Sequence, residues 1–111
     1  MFYNCFDLVD LNITSFDTSN VTSMNSMFGH CESLVTLNIT SFNTTKVNDM
    51  SEMFYKCKKV ETILINEFNI SSVTESSDMF YGCKALQNYN SSKIDVAMAK
   101  DKSEGGYFTK E

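Results

Sequence analysis

The chain has 111 residues, 42% of them hydrophobic, and a formal net charge of -5. That length sets one domain with a small core, and 9 basic against 14 acidic side chains argue against a nucleic-acid partner or a membrane surface held by a basic patch. No apolar run approaches the roughly 18 residues of a spanning helix, and the amino terminus has neither a basic n-region nor an apolar h-region, so this segment is not expected to insert into a membrane.

One anchor occurs four times, always 26 residues on: Met1-Phe2 with Cys5, Met27-Phe28 with Cys31, Met53-Phe54 with Cys57, and Met79-Phe80 with Cys83. The units are 1–26, 27–52, 53–78 and a degenerate 79–94, followed by 95–111, which fits no repeat and reads as a tail or partial cap. The first and second units agree at 14 of 26 positions and the second and third at 9, so the repeat decays along the chain. Phe2, Cys5, Phe28, Cys31, Phe54, Cys57, Phe80 and Cys83 are its structural anchors. Because the anchor already stands at residue 1, the chain is expected to be part of a longer protein, with any signal peptide or anchor outside it.

Within a unit the hydrophobic period changes. In the first, Leu8, Leu11 and Ile13 precede Phe16 and Val21. In the second, Leu34, Leu37 and Ile39 end in strict alternation, which predicts a short strand with Thr36, Asn38 and Thr40 outward. The polar stretch 41–46 reads as a turn, with Thr44 or Thr45 able to cap a helix beginning there. Val47, Met50, Met53, Phe54 and Cys57 then fall three or four apart, the spacing of a short α or 3-10 helix. The third unit repeats the strand with Ile63 and Ile65 inward but places Leu64 where Asn12 and Asn38 stand. The fourth keeps its anchor through Leu86 and then offers Tyr89, Asn90 and Ser91 in place of the strand pattern.

These residues carry a resemblance. Met-Phe-x-x-Cys-x-x-Leu-x-x-Leu-x-Ile followed by Ser-Phe-x-Thr-Ser-x-Val-x-x-Met resembles the BspA-like leucine-rich repeat of bacterial surface proteins, in the subtype found in mycoplasma-type surface lipoproteins. It implies an α/β repeat solenoid: a leucine-rich-repeat-like right-handed coil stack with a short parallel sheet on one side and short α or 3-10 helices on the other. It also implies display at the cell surface or outside the cell, and adhesion through a protein or glycan ligand on another cell or host surface. A purely structural stalk or spacer within a larger surface protein is the alternative.

Candidate chemistry is sparse. The four cysteines recur once per unit without a Cys-x-x-Cys pair, so buried free thiols are expected ahead of disulfides or metal. His30 occupies the variable position held by Asn4, Lys56 and Gly82 and is expected to be an exposed side chain, not the partner of Cys31 in a nucleophilic pair. Asp7, Asp10 and Asp17 align with Ser33, Thr36 and Asn43, so they read as solvated surface, not as a carboxylate pair. No catalytic residue, cofactor or metal site is assigned, and the chain is expected not to be an enzyme. Asn-x-Ser/Thr sequons at Asn12, Asn20, Asn38, Asn43, Asn69 and Asn90 read as repetition of an exposed polar ladder.

The candidate interaction face is therefore the outward side of the strands: Asp10, Asn12 and Thr14, then Thr36, Asn38 and Thr40, then Thr62, Leu64 and Asn66, with Asn88, Asn90 and Ser92 extending it. Titration in denaturant without reductant should count four free thiols; any smaller number would place a disulfide in the anchor column.

Overall fold

The computed structural model describes residues 10–13 and 17–110. Strands β1 (Asp10–Asn12), β2 (Thr36–Asn38) and β3 (Thr62–Ile65) lie side by side and parallel, each shifted by one 26-residue unit. Asp10 pairs with Thr36 and Thr36 with Thr62; Leu11 pairs with Leu37 and Leu37 with Ile63. Alternation explains the register. Leu37 and Ile63 are fully buried while Thr36, Asn38, Thr62 and Leu64 are half-buried, and a slip of one residue would exchange the two sets.

The opposite side of each unit departs from the expected helix. Residues with helical spacing form consecutive tight turns, and among the described residues no α-helix occurs. Amides of Met27, Gly29 and Cys31 donate to the carbonyls three residues back, of Met24, Ser26 and Phe28, at 3.1–3.2 Å. The alternate amides, of Met24, Ser26, Phe28 and His30, point the other way and donate to the carbonyls of Asp49, Ser51, Met53 and Tyr55, about one unit on, at 2.7–3.0 Å. The same set recurs from Met50, Glu52, Phe54 and Lys56 to Glu75, Ser77, Met79 and Tyr81.

Left-handed residues make this possible. Ser26, His30, Glu52, Lys56, Asp78 and Gly82 all have φ between 54° and 80°. For a residue with a Cβ that conformation costs roughly 1–2 kcal/mol. At Ser26, His30, Glu52 and Lys56 it is offset by the amide bond that the same residue makes to its neighbouring unit, worth about 0.5–1.5 kcal/mol. A helix would have spent those amides internally and left the units unlinked on this side. Side chains three or four apart still turn inward, because the turns bring Met27, Phe28 and Cys31 to one face.

Between the sheet and the turns lies the core. The rings of Phe28 and Phe54 stack at 5.7 Å and 10°, those of Phe54 and Phe80 at 5.3 Å and 12°, and all three are fully buried. Val47, Met50 and Met53 of the turns and Leu34, Leu37 and Ile39 of the strand side complete it.

The fourth unit does not supply the next strand. After Leu86 the chain turns, and Asn90 bridges antiparallel to Lys93. The strand position beside β3 is taken by β4 (Thr109–Lys110), with Thr109 opposite Leu64 and Lys110 opposite Ile65. Asn88, Asn90 and Ser92 are therefore not part of the sheet face. Tyr107 explains the switch: its hydroxyl accepts the Asn90 amide at 2.9 Å and donates to the Lys93 carbonyl at 2.6 Å, holding 90–93 away from the strand position. Phe108 then fills the end of the core against Phe54, Phe68 and Phe80 at 6.0, 4.8 and 5.7 Å.

The route to β4 runs over two 3-10 turns, Val96–Met98 and Lys102–Glu104, capped by the Asp95 and Asp101 carboxylates. Gly106 is required there, since a Cβ would come within 2.1 Å of the Lys100 carbonyl oxygen. Truncating the middle ring of the phenylalanine stack, Phe54→Ala, should lower unfolding free energy by about 3–5 kcal/mol in urea denaturation; an unchanged midpoint would contradict the stacked core.

Candidate interaction surface

The outward strand positions form columns. Thr36 stands beside Thr62, Asn38 beside Leu64, and Leu64 beside Thr109, each half-buried, while Asn66 is exposed beyond the end of β3. Asp10 and Asn12 join these columns through the backbone register of β1. Thr14 lies outside the described residues, as do Met1, Phe2, Cys5 and Asp7. The resulting face is polar with one aliphatic side chain, Leu64.

Part of that polarity is already spent. The Asn38 carboxamide oxygen accepts both the Thr40 amide at 3.0 Å and the Thr40 hydroxyl at 2.8 Å. Asn43 holds Thr45 in the same way, Asn69 holds Ser71 and Asn90 holds Ser92, at 2.6–3.1 Å. Asp17 and Ser19, Asp49 and Ser51, and Asp101 and Ser103 repeat the amide bond with a carboxylate as acceptor. The Asn-x-Ser/Thr pattern is thus turn chemistry: a short side chain closes the corner by accepting from the residue two positions on. Among the described sequons Asn20 is the exception, its oxygen accepting from Lys46 Nζ at 3.3 Å.

Thr18 and Thr44 have a role that repetition of the sequence signalled but helix capping would not explain. Both are buried. Thr18 donates its hydroxyl to the Asn43 carbonyl at 3.2 Å and accepts the Asn43 amide at 2.8 Å; Thr44 does the same with Asn69 at 2.7 and 2.8 Å. One hydroxyl thereby clasps a peptide in the next unit. Ile70 occupies the following position, has no hydroxyl, and is exposed.

The anchor cysteines act across units too. Cys57 and Cys83 are free and buried, Cys31 is buried with them, and Cys5 lies outside the described residues. Cys57 Sγ donates to the Phe28 carbonyl at 3.1 Å and Cys83 Sγ to the Phe54 carbonyl at 3.0 Å. Burial pushes both thiols up, Cys83 to about 12, so they stay protonated and are poor nucleophiles. His30 is less exposed than its variable position implied: it is half-buried, edge-on to Tyr55 at 5.3 Å, with Nδ1 3.5 Å from Glu32.

Over residues 1–109 the chain matches the family described as Mycoplasma protein of unknown function, DUF285. The chain belongs to that family. No curated protein and no solved structure matches it. For this member of DUF285, no helix among the described residues is long and apolar enough to cross a membrane.

The thiol ladder has a pH signature. Below about pH 9, the ordinary value for a thiol, Cys83 is protonated folded and unfolded, and pH leaves its contribution unchanged. Between about 9 and about 12 the unfolded thiol ionises while the folded one holds its proton, so stability falls as pH rises. Unfolding free energy should drop by about 1.4 kcal/mol per pH unit for each of the Cys57 and Cys83 thiols, and Cys83→Ala should flatten that slope by one such increment. An unchanged slope in that variant would remove the thiol from the core.

Proposed function

We propose that this chain is a segment of a BspA-like leucine-rich-repeat solenoid, right-handed and displayed on a bacterial cell surface as part of a lipoprotein. In this reading it contacts a protein or glycan on another cell or host surface and catalyses no reaction. One observation carries it: outward strand positions stand in columns, Thr36 beside Thr62 and Asn38 beside Leu64, on a parallel sheet whose backbone register repeats every 26 residues from β1 to β3. Such a face is rigid and extended, which is how repeat proteins present binding surfaces without mobile loops. The high thiol pKa of Cys83 supports the non-catalytic part, because this thiol is held neutral and inside.

The contact residues in this proposal are Thr36, Thr62 and Leu64, together with Asp10, Asn12, Thr14 and Asn66. Asn38 and Thr40 contribute shape more than hydrogen bonds, since they bond to each other. That mutual satisfaction favours the second reading, in which the face keeps a stalk or spacer soluble and recognition lies elsewhere in a longer protein.

The two readings separate in a bead-adhesion assay on cultured host cells. Beads coated with the protein should adhere, and Thr62→Arg with Leu64→Arg should abolish adherence while leaving the unfolding free energy within about 1 kcal/mol of the parent. Adherence unaffected by that double variant would leave the spacer reading standing.

A further inference from the structure

A cleft on the turn side, away from the sheet face, has a different chemistry. It encloses about 230 Å³ and is lined by Lys56, Lys58, Lys84, Tyr81, Tyr89 and Ser91, with Gly82 at its floor. Three of the chain's nine basic residues thus converge in a protein of net charge -5.

The repeat explains how it forms. Lys58 and Lys84 are one unit apart and follow Glu32 of the second unit, so the carboxylate in this column is succeeded by two ammonium groups. Glu32 reaches Lys58 at 3.6 Å. Among the described residues neither Lys56 nor Lys84 pairs with a carboxylate, and Lys56 Nζ lies 5.5 Å from the centroid of the Tyr55 ring. His30, Lys56 and Gly82 form the next column, all with left-handed φ. At Gly82 the backbone packs directly under Lys56: a Cβ there would lie 3.3 Å from the Lys56 Cα, so glycine lets the two units approach this closely and adds no side chain to the cleft. Tyr81 stacks on Tyr55 at 5.2 Å yet remains 45% exposed, the most exposed large apolar side chain described. Tyr89 is held in place by the Gly82 amide, which donates to its hydroxyl at 3.0 Å.

We propose that this cleft binds a carboxylate-bearing pyranose, a uronic-acid type of sugar. Ammonium groups at Lys56 and Lys84, which pair with no carboxylate among the described residues, supply the charge partner for a carboxylate. The exposed Tyr81 ring offers a flat apolar surface for the C–H face of the sugar. Volume limits the ligand, since drug-sized sites run from about 300 to 1,000 Å³ and this one holds a single ring. Charge limits it further. A long polyanion is repelled by the net negative protein, whereas one carboxylate within a Debye length of about 8 Å feels the lysines first. The site shares no residue with the sheet face, so either proposal can fail alone.

Titration by two-dimensional amide NMR tests it, with methyl glucuronide, methyl glucoside and acetate as probes. The glucuronide should give saturable shifts at Gly82 and Ser91 with a Kd on the order of 1 mM. The glucoside, lacking only the charge, and acetate, lacking the ring, should each bind at least tenfold more weakly. Lys84→Gln and Tyr81→Ala, both at exposed positions, should each weaken the glucuronide about tenfold, and Leu64→Arg should leave it unchanged. Equal affinity for the glucoside, equal affinity for acetate, parental affinity in Lys84→Gln, or no saturable shift up to about 50 mM would each overturn the proposal.

Discussion

Backbone amides of the described units bond to carbonyls of the units beside them, and the rest of the structure depends on that exchange. On the strand side the donors and acceptors form the parallel ladder of β1, β2 and β3. On the turn side they are every second amide from Met24 to His30 and from Met50 to Lys56. Two lateral ladders on opposite faces prevent one unit from sliding or pivoting against the next. Once register is fixed on both sides, repeated side chains of the anchor segments sit beside their counterparts 26 residues away. Phenylalanine stacks on phenylalanine, tyrosine on tyrosine, and the cysteine thiol reaches the phenylalanine carbonyl of the preceding unit.

That arrangement turns apparently decorative residues into structural ones. A buried threonine clasps the next unit, and asparagine or aspartate closes a corner by accepting from the serine or threonine two positions on. It also shows how the ladder ends. Ile70 succeeds Thr18 and Thr44 in their column without a hydroxyl, and Tyr89 stands where Leu11, Leu37 and Ile63 filled the strand. A stack that stopped there would expose its last phenylalanine layer. Tyr107 and Phe108 cover it, with Asp101 fastening the closing strand through the Lys110 amide at 2.7 Å. Hydrogen bonds from Ser103 and Lys110 hold the Asp101 carboxyl down to about 2, so this fastening survives well into acid.

Functionally the two faces differ in kind. The sheet face is mostly uncharged, with part of its hydrogen-bonding capacity satisfied internally, and suits contact by shape with the proposed protein or glycan partner. The turn face carries charge and exposed aromatic surface, concentrated around Gly82, where Lys56, Lys84 and Tyr81 line one cleft. Both arise from the same repeat. A face is uniform where the units agree and acquires a site where they diverge.

Much of this was legible in the residues alone. The 26-residue period, the inward set Leu37, Ile39, Ile63 and Ile65, the buried phenylalanines and the buried cysteines follow from apolar identity at fixed spacing, because burial is a property of composition and period. The turn side was not legible in the same way. Spacing of three or four places Met53, Phe54 and Cys57 on one face whether the backbone is helical or built of turns, and only the partners of the amides distinguish the two. Those partners lie in another unit, so the choice belongs to tertiary structure. The same holds for β4: nothing in Thr109–Lys110 signals a strand until Tyr107 has moved the fourth unit aside and β3 offers an open edge. Sequence determined what is buried and how often; contacts between units decided which backbone conformation carries it and where the stack closes.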